Sequence, residues 1–274
     1  VPQLEGFKAK AHDIKRFNFA ARNLDRFFLN ALTAADWQKA VDDFLPKMTD
    51  QVIENALAMQ PAEIRALPHN QSIVATLKER RQYLAEEVMK YYRFLAETVT
   101  VTASDKHDLF DITRNDDGSM LVQVYKLKDG QKADKKYERL FIGGETKEVR
   151  LFGFDGDDKF VINGNNDKVK VRMIGGGGAD VFEKTGGGRG SSFVYDKNNG
   201  ENKLIGKFKN HMSNDSAVNS FQRIYYKYDK AGPGVAVGFN PDDGLFLGLS
   251  YKFVNHGFRK EPYKSSHTIA ASHA

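Results

Sequence analysis

The sequence contains no cysteine. Without thiols the chain forms no disulfide bond, offers no cysteine nucleophile and supplies no sulfur ligand to a metal ion. A cysteine-free chain suits a bacterial protein outside the cytoplasm as well as one inside it. The absence therefore removes several kinds of chemistry and leaves the location of the protein open.

The sequence also lacks any long apolar run. No stretch of about 18 consecutive apolar residues occurs, so the sequence predicts no transmembrane helix. It begins at Val1 without an initiator methionine or a signal peptide, and it stops within an alternating segment at 268–273. We expect both ends to belong to a longer protein, and the missing signal peptide then gives no information on location.

Motifs of common enzymes are absent as well. The seven histidines never show the H-x-x-x-H or H-E-x-x-H spacing of a helical zinc site. No G-x-S-x-G segment supports a hydrolase serine, and the glycine run 175–178 lacks the Lys-Ser/Thr of a phosphate-binding P-loop. The 41 basic and 36 acidic residues are spread along the chain. Because these enzyme motifs are absent, we expect no catalysis. Because no basic stripe with interleaved aromatics occurs, we expect no nucleic-acid binding.

Two glycine–aspartate segments, 153–160 and 175–182, are the most distinctive feature that is present. The second fits the calcium-binding pattern G-G-x-G-x-D-x-apolar-x, and the first departs from it only by Phe154 in place of the second glycine. Glycine allows a tight turn, aspartate offers an oxygen to a hard cation, and the apolar residue enters a stacked core. The copies start 22 residues apart, whereas a regular roll repeats about every nine or eighteen residues. We therefore expect only a short, irregular roll.

Two interpretations of these segments remain open. In one, the carboxylates bind Ca²⁺, the only cofactor that the sequence suggests. In the other, which we prefer, they form plain turns between the strands of a small β-stack. The candidate calcium donors, including one from a degenerate copy at 164–169, are Asp155, Asp157, Asp158, Asp167 and Asp180.

Residues 1–99 have the pattern of a helical bundle. Apolar residues recur at spacings of three and four from Ile14 to Ala31 and predict one apolar helix face. Thr33 and Thr49 are placed to cap the next helices, and a long helix is predicted over 71–97. Residues 100–215 change to strands, among them a hairpin whose turn is the Asn-Asp-Asp-Gly segment 115–118.

A cluster of charged residues lies in the first helical segment, at Arg22, Asp25 and Arg26. One interpretation is a structural ionic cluster in which Asp25 links an arginine to the strand region. The other is ordinary pairing on the surface, which contributes little to stability. We prefer the structural interpretation.

Residues 216–274 show a different alternation. Leu245, Leu249 and Phe253 share one side of a predicted strand with other large apolar residues, while the residues between them are mostly small or polar. The strand before the turn at 241–244 alternates in the same way. Such strands are typical of a membrane β-barrel, although a half-buried strand of a soluble antiparallel sheet alternates similarly. We favour the barrel because two adjacent strands show the pattern around one tight turn.

Several separated segments resemble one region of large outer-membrane proteins of Bacteroidetes-type bacteria. They occur in the same order and are RFNFAARNLDRFFL (16–29), DW (36–37), LKERR (77–81), YYRFL (91–95), ETKEVRLFG (145–153) and KVRMIGG (170–176). In that family the region looks like a linker between a calcineurin-like metallophosphoesterase domain and a surface-antigen barrel of the BamA/TamA type. The resemblance implies a periplasmic location beside the outer membrane. It implies no catalytic residues, because the D-x-H and G-N-H-[DE] motifs of the phosphoesterase are absent.

The combined prediction is an α+β chain. It comprises a helical bundle at 1–99, an antiparallel or roll-like β region at 100–215 and the first strands of an outer-membrane β-barrel at 216–274. We expect a non-catalytic periplasmic connector that contributes to protein or substrate handling at the outer membrane. Its expected partners are the membrane, through the last strands, and neighbouring domains of the same chain. The alternatives are a calcium-binding β-roll module and an accessory region of a phosphoesterase whose active site lies upstream.

Overall fold

The computed structural model describes residues 7–11, 13–187, 190–224, 226–241 and 244–273. It confirms a mixed α+β chain with a helical N-terminal part followed by parallel and antiparallel sheets. The chain forms two compact units that divide between Gln222 and Arg223. Helices and parallel strands belong to the first unit, and a separate antiparallel sheet makes up the second.

The helices of the first unit are α1 Ile14–Phe17, α2 Arg22–Phe28, α3 Ala34–Phe44, α4 Asp50–Ala58, α5 Ala62–Arg65 and α6 Pro68–Ala96, with a 3-10 helix at Leu45–Lys47. Two of them, α3 and α4, begin at their predicted capping residues. Thr33 and Asp36 form a reciprocal capping box at the start of α3. Thr49 accepts a hydrogen bond from the Val52 N–H at the start of α4. The predicted long helix is confirmed as α6.

The predicted apolar face over residues 14–31 is divided between two short helices. The backbone between α1 and α2 makes hydrogen bonds of the tighter i→i+3 type, from Phe19 to Arg16 and from Arg22 to Phe19. Part of the apolar face stays exposed, since Leu24 and Phe28 keep 59% and 63% of their surface. The apolar spacing identified the residues of this face but not the break between α1 and α2. The break results from the local backbone hydrogen bonds.

The strands of the first unit form two sheets. Their bounds are β1 Thr98–Thr102, β2 Asp108–Arg114, β3 Met120–Lys128, β4 Gln131–Phe141, β5 Glu148–Phe154, β6 Lys159–Asn163, β7 Lys170–Gly176, β8 Val181–Lys184, β9 Ser192–Tyr195, β10 Lys203–Ile205 and β11 Lys209–Asn210. One sheet has the order β1-β5-β7-β9-β11 and the other β10-β8-β6-β2-β3-β4. The predicted hairpin is confirmed as the antiparallel pair β2–β3.

From β5 onward the chain steps from one sheet to the other with every strand and pairs in parallel within each sheet. Contacts between neighbouring coils join residues that lie 22 positions apart. The spacing of 22 residues between the two glycine–aspartate segments, which is too long for a regular roll, is therefore one complete turn of this stack.

The apolar core lies between these two sheets. Phe110, Phe160 and Phe182 come from neighbouring strands of one sheet and stack with ring centroids 4.5 and 5.0 Å apart. They are fully buried together with Ile112, Leu151, Ile162 and Met173. Stacking identical side chains along a parallel sheet removes a continuous apolar column from water, which stabilises each coil against the next.

The second unit is a three-stranded antiparallel sheet. Its strands are β12 Lys230–Asn240, β13 Gly244–Gly257 and β14 Lys260–His273, in the order β12-β13-β14. The register pairs Val235 with Leu249 and Tyr251 with Ile269, so most of the large apolar side chains share one face, while Phe246 lies on the other. None of the helices in the described part of the chain combines the length and apolar character needed to cross a bilayer.

Candidate functional site

A ladder of aspartates runs along one corner of the parallel stack, where β5 and β7 turn into β6 and β8. Asp158 Oδ1 accepts a hydrogen bond from the Asp108 N–H, and Asp180 Oδ1 accepts one from the Asp158 N–H, both at 2.8 Å. The next rung is an amide, because Asn202 Oδ1 accepts the Asp180 N–H at 2.8 Å. Each side chain thus satisfies a buried backbone donor of the preceding coil.

Two glycines make room for these carboxyl groups. A Cβ on Gly153 would stand 2.0 Å from Asp158 Oδ2, and one on Gly175 would stand 2.2 Å from Asp180 Oδ2. Any other residue would occupy the space that the carboxyl fills. In the G-x-x-x-x-D spacing of this chain, the glycine therefore provides volume for the aspartate five residues later.

Phe154 occupies the position at which the first copy departs from the calcium pattern. It pairs in register with Gly176, and the two residues have positive φ angles of 77° and 131°. Phe154 therefore adopts a backbone conformation that favours glycine. Its ring makes an edge contact with Phe221 at 5.1 Å, so packing offsets part of the strain.

Three buried aspartates each have one carboxyl oxygen without a partner in the described part of the chain. Asp158, Asp180 and Asp196 are 1%, 0% and 1% exposed, and their Oδ2 atoms lack hydrogen-bond partners within the described residues. Asp196 follows β9, whose Tyr195 pairs with Ile174. Its Oδ2 lies 2.1 Å from the same Cβ position on Gly175 that Asp180 crowds. The two carboxyl groups consequently face one another.

The aspartates of the ladder differ in how well their charges are compensated. Asp108 is compensated by Lys126, whose Nζ lies 3.3 Å from it, and by a hydrogen bond from Ser104 Oγ at 2.7 Å. Burial, together with the charges of Asp180 and Asp108, raises the pKa of Asp158 to about 9. Burial also raises the pKa of Asp180, with Asp196 adding to the shift. Negative charge is therefore unfavourable at Asp158 and Asp180.

The structure brings together only some of the predicted calcium donors. Asp155 and Asp157 are exposed on the same corner, and Asp157 accepts the Ala179 N–H at 2.9 Å. Asp167 lies in the other connection, between β6 and β7, where it pairs with Arg114 at 2.6 Å. No group of three or more histidine or acidic side chains is arranged to hold a metal in the residues that the structure describes. Calcium binding by those five aspartates stays a prediction.

Sequence reasoning missed Asp196. This residue stands outside both glycine–aspartate segments, directly after β9. Counting one coil forward from Gly175 could have found it, since the paired strands β7 and β9 place it beside that glycine.

The predicted ionic cluster makes its contacts at the junction of helices and strands. Asp25 accepts a hydrogen bond from the Tyr91 hydroxyl of α6 at 2.6 Å. Arg26 donates to the carbonyls of Leu95 and Thr98, at 3.2 and 2.9 Å, where α6 ends and β1 begins. Arg22 donates to the Phe19 carbonyl at 2.6 Å. Arg26 therefore satisfies carbonyls at a helix C-terminus, where a cation is also favoured by the helix dipole.

The second candidate site is the apolar face of the second unit, formed by the large side chains of β12 and β13 with Ile269 of β14. Val235, Phe239 and Leu249 on this face expose 71%, 75% and 67% of their surface. At about 3.4 Å per residue, the stretch from Leu245 to Phe253 is roughly 27 Å long. Ala236, Gly248 and Ser250 lie on the opposite face.

One end of this apolar face is bordered by aromatic and charged residues. The rings of Tyr251 and Phe253 pack 4.9 Å apart. Beyond them Lys227 pairs with Glu261, and Asp229 Oδ1 accepts the His256 N–H at 2.6 Å. The sequence of apolar, aromatic and charged zones along the strands is the order found across a membrane interface.

Comparison of the chain with family models, with curated proteins and with solved structures finds no match. A functional assignment therefore depends on the chemistry of the aspartate corner and of the apolar face.

Proposed function

We propose that the chain is a non-catalytic connector of an outer-membrane β-barrel protein. In this proposal the second unit contributes the first strands of the barrel, and the first unit is a periplasmic module that helps to handle protein or substrate at the membrane. The resemblance to linker regions of outer-membrane proteins led to the same expectation. The observation that carries the proposal is the continuous exposed apolar face of β12, β13 and β14.

The apolar face is large enough that we expect something other than water to cover it. Soluble monomers rarely expose contiguous apolar patches beyond a few hundred Å², and burying such surface is worth roughly 25 cal/mol per Å². Here large residues extend along two paired strands, from Val235 and Leu249 to Phe239 and Leu245. Lipid would remove this surface from water along its whole length.

The small residues on the other face fit the same proposal. Transmembrane strands alternate between a lipid-facing side chain and one that faces the lumen. Ala236 lies opposite Gly248, and Gly234 lies opposite Ser250. An ordinary core would need large side chains on one of the two faces to be covered by a second layer of the protein. The described residues of this unit comprise one layer only.

Paired charge substitutions on β13 test the proposal. Leu249→Arg places a cation on the apolar face, whereas its neighbour Ser250→Arg places one on the small-residue face. Leu249→Arg should weaken association of the chain with lipid vesicles by roughly 30-fold or more, because arginine near the bilayer midplane costs about 2–4 kcal/mol. Ser250→Arg should change it much less.

Association that falls equally in both variants would contradict the proposal, as would a chain that does not associate with lipid at all. A second outcome is informative too: a concentration-dependent oligomer in the absence of lipid, lost in Leu249→Arg, would mean that another copy of the chain covers the face. The interpretation as an accessory region of a phosphoesterase stays a prediction.

A further inference from the structure

We propose that Asp180, Asp196 and Asn219 form a binding site for one hard divalent cation of the calcium class, at the corner of the parallel stack. Asp196 and Asn219 were not among the predicted calcium donors. The site lies wholly within the first unit, and it does not depend on the membrane role proposed for the second.

The two carboxyl groups have their first oxygens already engaged. Asp180 Oδ1 accepts the Asp158 N–H at 2.8 Å. Asp196 Oδ1 accepts the side-chain N–H of Asn219 at 2.9 Å and the Lys197 N–H at 2.7 Å. These bonds orient both Oδ2 atoms toward the space above Gly175, where they lie 2.2 and 2.1 Å from its Cβ position. The two carboxyl groups are therefore held facing each other, and either a shared proton or a cation between them relieves their repulsion.

The side chain of Asn219, which contacts Asp196, carries a third oxygen that is unpaired in the described part of the chain. It ends the 3-10 helix Ser216–Asn219, and its side-chain nitrogen donates to Asp196 Oδ1 and to the Gly176 carbonyl. With the nitrogen fixed in this way, Asn219 Oδ1 is buried and has no hydrogen-bond partner within the described residues. An amide oxygen can act as a metal ligand, and it can accept a hydrogen bond, but it cannot donate one.

A cation satisfies this corner more completely than a proton does. One proton shared by Asp180 and Asp196 would serve those two carboxyl groups and leave Asn219 Oδ1 unpaired. In the proposed site, a cation would be bound by the oxygens of Asp180, Asp196 and Asn219 and would neutralise both carboxylate charges. Carboxylate and amide oxygens without nitrogen or sulfur donors are the ligands that Ca²⁺ and Mg²⁺ prefer. Ca²⁺ tolerates an irregular set of six to eight oxygens, with water completing it, better than Mg²⁺, which demands near-ideal geometry.

Thermal unfolding of the whole chain with added Ca²⁺ tests the proposal. Free Ca²⁺ about 100-fold above its dissociation constant should raise the unfolding midpoint by roughly 5–10 °C, and a chelator should reverse the rise. Asp196→Asn should remove most of the rise, since it keeps the Oδ1 acceptor and takes away the charged ligand. The control Asp134→Asn, which changes an exposed carboxylate on β4, should retain it.

A second measurement detects the bound ion directly, without unfolding the chain. Tb³⁺, which replaces Ca²⁺ at oxygen sites, should show tyrosine-sensitised luminescence because Tyr195 is the direct neighbour of Asp196. The signal should fall when Ca²⁺ is added and should be largely lost in Tyr195→Phe. No midpoint rise with Ca²⁺, an equal rise in Asp196→Asn and the native chain, or unchanged Tb³⁺ luminescence in Tyr195→Phe would each overturn the proposal.

Discussion

At the scale of single residues, the first unit depends on glycines that provide space. Gly175 lies directly beside two buried carboxyl groups, so a methyl group there has no room. Gly175→Ala should lower the free energy of unfolding by about 2–3 kcal/mol or more, through overpacking and displacement of Asp180 and Asp196. Denaturant unfolding measures the change.

Gly144→Ala is the matched control for this substitution. A Cβ on Gly144 would meet no heavy atom within 4 Å, so its effect on unfolding should be within about 0.5 kcal/mol. Equal effects of the two substitutions would show that the space beside the carboxyl groups is not the reason for glycine at position 175.

The sequence predicted some of these residues and could not predict others. Asp158 and Asp180 stand in a motif that can be seen locally, whereas Asp196 and Asn219 reach the same corner only through pairing of distant strands. Side-chain caps at Thr33 and Thr49 were predictable because their partners lie three residues away.

At the scale of elements, an ion cluster joins the parallel strands β5 and β7. Glu148 of β5 lies 2.7 Å from the Arg150 guanidinium and 3.1 Å from that of Arg172 on β7. Burial raises the pKa of Glu148, but the two arginines outweigh burial and lower the pKa to about 2. The carboxylate is thus stabilised in the folded state relative to the unfolded chain.

The sign of the pH dependence follows from that lowered pKa. The stabilisation is present above the unfolded pKa of about 4.3 and is lost as the pH falls toward 2. Glu148→Gln should therefore destabilise the chain by roughly 1–3 kcal/mol at pH 7 and by little near pH 2, as measured by denaturant unfolding at each pH. Exposed Glu138→Gln should have little effect at either pH. A Glu148→Gln penalty that is constant with pH would contradict this account.

Most elements were predictable, but their arrangement was not. Local patterns located the hairpin of β2 and β3, its turn, the paired strands β12 and β13, and the long helix. The sequence contained the spacing of 22 residues, yet its meaning required knowing that each coil uses two strands in two sheets. The break between α1 and α2 also escaped prediction, because apolar spacing continues across it while the backbone changes to tighter hydrogen bonds.

At the scale of the whole molecule, two units with different surfaces share one chain. The first buries a continuous apolar core between its sheets. The second exposes its largest apolar residues on one face. The alternation that produces this face was visible in the sequence. In the described part of the second unit, no second layer of the chain covers this face, and the sequence alone could not show that.

The central claim is that the apolar face of the second unit contacts lipid. Because the chain has no cysteine, single cysteines at Leu249, Ser250, Tyr251 and Lys252 can each carry an environment-sensitive fluorophore. In vesicles that contain nitroxide-labelled lipid, fluorescence should be quenched strongly at positions 249 and 251 and weakly at 250 and 252, since successive strand residues point to opposite faces. Equal quenching at all four positions, or none at any of them, would contradict the claim.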